Sequence, residues 1–123
     1  MYGNTQDVLN ATRTELPRKI ELASAHFTEN QRSLVREIAA RSMANLSHKS
    51  DPNPNAERKW ELPRVGGEVA DILVRHATNN TIPQGNISDE QFRAFVASDR
   101  LRDIADEAKA EVIILLEQRA RGR

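Results

Sequence analysis

The chain has 123 residues, with Lys plus Arg and Asp plus Glu at 18 each and no cysteine. This length suits one domain around one core, and 38% hydrophobic against 29% charged residues is polar but periodic enough to fold. Balanced charge disfavours a general nucleic-acid binder, the missing cysteine removes disulfides, thiolate chemistry and Cys-ligated metals, and no run reaches the ~20 apolar residues that span a bilayer.

In chain order, Asn4 or Thr5 caps a first segment, with Asp7 in its opening turn. Leu9, Leu16, Ile20, Ala23 and Phe27 fall on one helix face. Pro17 interrupts this segment, but the face keeps its phase across it, which favours one kinked helix over two. Thr28 to Gln31 reads as a capping box and opens a second helix to about Ser47. Leu34, Val35, Ile38, Ala39, Met43 and Leu46 form its stripe, with Ser42 inside it.

Residues 48–64 contain three prolines and read as a long loop. A third helix should run from Arg64 or Val65 to Thr78, on Val65, Val69, Ile72, Leu73 and His76, and end at Asn79-Asn80. Gly66 and Gly67 in its first turn allow close backbone approach. After a polar loop, Ser88 to Gln91 forms a second capping box for a short helix carrying Phe92, Phe95 and Val96. The last helix spans roughly 99 to 120, on Leu101, Ile104, Ala105, Ala108, Val112, Leu115 and Leu116. The run Val112 to Leu116 is apolar all round, which predicts a central place in the core. These stripes must close on one another, so the expected fold is all-α: an antiparallel four-helix bundle with a short accessory helix over 1–123, a homodimer completing the bundle being the alternative.

Little points to catalysis. His26, His48 and His76 lie in no H-E-x-x-H pattern, and no phosphate-binding or nucleophile motif occurs. Asp103, Asp106, Glu107 and Glu111 alternate with Arg100, Arg102 and Lys109 as on a solvated helix face. A helix-turn-helix reading of 101–116 fails because Val112 to Leu116 offers no polar side chain to base edges. Pro63 to Glu68 could bind an anion at a helix start, but Glu68 opposes that, and tight packing explains the glycines.

The most distinctive surface is the loop, with the sole tryptophan, Trp60, near Lys49, Arg58, Lys59 and Arg64, and Leu62 beside it. A small helical bundle with such a tip loop resembles the helical membrane-targeting domains of some secreted bacterial toxins and effectors. That resemblance implies attachment to the inner leaflet of a host membrane, without catalysis by this domain. The expectation is therefore a non-enzymatic binding module with no cofactor and no metal. Trp60 and Leu62 would insert into anionic phospholipid membrane while Lys49, Arg58, Lys59 and Arg64 meet phosphates. The alternative is a protein-interaction module (adaptor, inhibitor or homodimer) using an exposed apolar helix stripe.

Overall fold

A computed structural model describes residues 5–48, 62–81 and 85–121. Five helices follow in order: α1 (Thr5–Ala23), α2 (Glu29–His48), α3 (Leu62–Thr81), α4 (Asp89–Val96) and α5 (Asp99–Arg121). The fold is all-α, four long helices and one short accessory helix, and no described residue is in a strand.

α1 is one helix with Pro17 inside it. Leu9, Leu16 and Ile20 are buried as their spacing predicts, joined by Val8 and Thr12. The helix stops at Ala23, four residues short of the predicted face, and Ala23 is exposed. Past Ala23 the chain turns, the Phe27 N–H donating to the Ser24 carbonyl at 3.0 Å, while Arg32 donates to the carbonyls of Ser24 (3.0 Å) and Ala25 (2.8 Å). The Thr28–Gln31 capping box forms: the Thr28 N–H donates to Gln31 Oε1 at 2.8 Å, and the Gln31 N–H donates to Thr28 Oγ1 at 3.3 Å. Every predicted stripe residue of α2 is buried, Ser42 included.

α3 is longer than its spacing suggests. Its first turn takes in Leu62, Pro63 and Arg64, because a proline there forfeits no helical hydrogen bond. Asn79-Asn80 does not end it: the Asn80 side chain donates to the His76 carbonyl (2.7 Å) and the Thr81 hydroxyl to the Ala77 carbonyl (2.8 Å), so both side chains bond within the helix. The loop predicted over 48–64 thus loses His48 and 62–64 to helices, and 49–61 lies outside the described residues.

α3 is the hub, packing against α1, α2 and α5. Val65, Val69, Ala70, Ile72, Leu73, Val74 and Ala77 are all buried, an arc of roughly 200° that one partner helix could not cover. Its most extensive contact is with α1. Gly66 lies on Ala11 and Lys19 pairs with Asp71 at 2.8 Å, so these two helices run the same way. α3 and α5 run antiparallel, since Asn80, Arg75 and Glu68 meet Arg100, Glu111 and Arg119 in that order.

α4 has no buried residue, but Phe92, Phe95 and Val96 rest on the core from its edge. Both halves of its Ser88–Gln91 capping box form. Asn30 of α2 holds its start, donating to the Ile87 carbonyl (2.7 Å) and Asp89 Oδ1 (2.9 Å).

Candidate interaction surface

Leu101, Ile104, Ala105, Ala108 and Val112 turn one face of α5 onto the core. Leu115 and Leu116 are only half-buried, and the expectation that the whole run 112–116 is central fails at its middle. Ile113 is 44% exposed and Ile114 55%. The cause is geometric. The core stripe is already complete at 3–4 spacing, and at about 100° per residue Ile113 falls in line with Asp106, Ala110 and Glu117, all exposed. That line was legible from its polar members; an apolar run read without its phase conceals it.

α5 is therefore apolar on its inner face and at the centre of its outer face. Asp103, Asp106 and Glu107 lie toward the start of the outer face and Glu117 beyond the isoleucines. Elsewhere the only large exposed hydrophobic among the described residues is Leu22, alone on α1 between exposed Glu21 and Ala23. Single exposed hydrophobics are ordinary; an adjacent pair beside a small Ala110 forms a patch.

The edge of α5 against α3 is held by charge. Arg119 grips Glu68 with both ends of its guanidinium, Nε donating to Oε1 at 2.9 Å and Nη2 to Oε2. That bonding, aided by the charge of Arg64, holds the Glu68 carboxyl below the usual carboxylate range although partial burial acts the other way. Two turns away, Glu111 accepts from Arg75 and from His76 Nε2 (2.8 Å). Burial, then the Arg75 charge, push His76 below the ordinary histidine range, with Glu107 opposing. Toward α2, Asn45 donates to the Ala105 carbonyl (3.3 Å) and Asp106 Oδ1 (3.0 Å). Both edges of α5 are thus tied down, and among the described residues none covers Ile113 and Ile114 on its outer face.

Of the residues singled out in the sequence, Lys49, Arg58, Lys59 and Trp60 lie outside the described residues. Leu62 is the first residue of α3, and Arg64 is exposed in that helix's first turn, one turn before Glu68. A groove of about 330 Å³ separates α1 from α2, floored by Leu16, Pro17, Ile20 and Ala40 and edged by Arg13, Arg36 and Glu21. Among the described residues no group of three or more His, Asp or Glu is placed to hold a metal ion. No described helix is long and apolar enough to cross a membrane. No protein-family model matches the chain, and neither a curated protein nor a solved structure is measurably similar to it.

Proposed function

We propose that this chain is a non-catalytic protein-interaction module that docks a partner on the outer face of α5. The observation supporting this is the exposed Ile113–Ile114 pair at the centre of an otherwise charged face. Each isoleucine is about half exposed, so a partner that completed its burial would recover about 1 kcal/mol apiece. A photo-crosslinking residue at position 114, with exposed Arg93 as the control position, tests the reading in the producing cell. One discrete adduct at 114 and none at 93 is expected. The same smear at both positions, or no adduct, sinks it.

A second reading, binding to anionic phospholipid membrane through Lys49, Arg58, Lys59, Trp60, Leu62 and Arg64, draws support from the exposure of Arg64. It expects vesicle binding that grows with anionic lipid, weakens with salt and disappears in Trp60→Ala. Equal binding to neutral vesicles counts against it. The protein-docking reading ranks first because Ile113 and Ile114 are exposed together on one face, whereas Lys49, Arg58, Lys59 and Trp60 lie outside the described residues.

A further inference from the structure

We infer that the groove between α1 and α2 is a binding site for a single-chain alkyl carboxylate, its tail lying along Leu16, Pro17 and Ile20 and its carboxylate meeting Arg13. The site is built on other helices than the α5 face, and it stands whether or not that face docks a partner.

The groove follows from how α1 is packed. α1 is drawn onto α3 at Ala11 and Gly66, and its contact with α2 is far less extensive. Arg32 of α2 reaches back to the carbonyls of Ser24 and Ala25, so the two helices run antiparallel, and Ala40 falls level with Leu16 and Pro17. A long side chain at that level would close the seam. Instead α2 offers the methyl of Ala40 and α1 the ring of Pro17, and both are exposed. What remains is an apolar channel of about 330 Å³ with charged groups only at its rim. Its size and its lining are those of a small-molecule site.

The rim sets which ligand fits. At the end near the turn, Glu21 and Arg36 both line the groove, so opposite charges meet there, and Arg36 also lies 3.8 Å from Glu29. At the other end Arg13 is the only charged lining residue. Its Nη1 donates to Asn10 Oδ1 at 3.0 Å, a neutral partner that steadies the guanidinium without adding negative charge. The planar fork of an arginine suits a carboxylate. From Arg13 to Ile20 is seven residues, about 10 Å along the helix, which matches the extended tail of octanoate. The polarity is therefore fixed: anion at Arg13, tail toward Ile20.

The test is an amide NMR titration of the intact chain with octanoate, octanol and octyltrimethylammonium. Octanoate should shift the amides of Leu16, Ile20 and Ala40 saturably, with Kd on the order of 1 mM, as expected for so small a ligand. Octanol and the cationic analogue should bind at least fivefold more weakly. Arg13→Gln should weaken octanoate at least fivefold and leave octanol unchanged. Ala40→Leu should fill the channel and abolish binding. Both side chains are exposed, so the thermal melts of the two variants should match the parent's. Shifts that do not saturate, or that centre on Ile113 and Ile114, overturn the site. Octanol binding as tightly as octanoate, or octanoate binding untouched by Arg13→Gln, overturns the carboxylate as its ligand.

Discussion

Gly66 of α3 lies so close to Ala11 of α1 that a Cβ added to it would stand 2.6 Å from the Ala11 Cβ and 3.0 Å from the Ala11 carbonyl carbon. Two helices running in the same direction meet there almost backbone to backbone. A regular up-and-down bundle would set them on a diagonal; here they make the most extensive contact in the molecule. Gly67, one residue on, meets nothing nearer than Lys19 Cε at 3.9 Å. The two glycines should therefore respond oppositely to alanine. Gly66→Ala should destabilise by about 1–3 kcal/mol, because the obstructing atoms include backbone that cannot rotate away. Gly67→Ala should stabilise by about 0.5–1 kcal/mol through helix propensity alone. Chemical denaturation of the two variants checks the pair, and equal effects would discard the close-approach argument.

Ser42 is fully buried, and its hydroxyl is the one buried side-chain oxygen among the described residues without a hydrogen-bond partner. The other buried hydroxyls, on Thr12, Ser24 and Thr81, each donate to the carbonyl four residues back. Ser42→Ala removes an unpaired dipole, leaves almost no cavity and improves helix propensity. A gain of about 1 kcal/mol is expected in urea unfolding. A loss of similar size would mean the hydroxyl has a partner in solution.

Pro17 sits twelve residues into α1 and has no N–H to donate to the Arg13 carbonyl. Its ring is exposed along the groove between α1 and α2, so its replacement opens no core cavity. Pro17→Ala restores a donor and should raise stability by about 1–2 kcal/mol, part of the usual proline penalty having been relaxed by the native backbone. Differential scanning calorimetry would show it as a higher Tm, and an unchanged or lower Tm would contradict it.

Stability should fall in two steps on acidification. The folded pKa of His76 lies below the ordinary 6.5. Between the two values only the unfolded chain takes up the proton, so the contribution is intact above 6.5 and declines as the pH falls below it. Glu68 acts lower down. Its folded pKa is depressed by Arg119 below the ordinary 4.5, so its contribution is present above 4.5 and is lost as the pH falls through the folded value. Both side chains keep some contact with solvent, so each step should be shallow. Thermal melts from pH 8 to pH 3 measure the profile. His76→Gln should flatten the upper step and leave the lower one, and an upper step that survives the substitution belongs to another group.

The helices were legible in the chain itself because their determinants are local. The capping boxes at Thr28 and Ser88, the stripe from Leu34 to Leu46 and the phase kept across Pro17 all act within one or two turns. Local spacing also announced close approach at Gly66-Gly67, though not which helix would approach or which of the two glycines needs its missing side chain. Composition ends α3 too early at Asn79-Asn80, because the Asn80 side chain bonds back to the His76 carbonyl and the helix runs on to Thr81. Ile113 and Ile114 were misplaced for a related reason: apolar character says that a side chain prefers burial, not that a neighbour exists to bury it.

Periodicity along the chain determined that this protein is built of amphipathic helices, where most of them begin, and which side chains seek one another. Only the tertiary structure decided that α3 would be the hub, that α1 would lie beside it in the same sense, and that the outer face of α5 would be left uncovered. Helix formation depends on hydrogen bonds and rotamers a few residues apart, which adjacent letters encode. Which faces meet depends on fitting five bodies of fixed shape around one volume, and that competition is settled between residues such as Ala11 and Gly66, fifty-five positions apart.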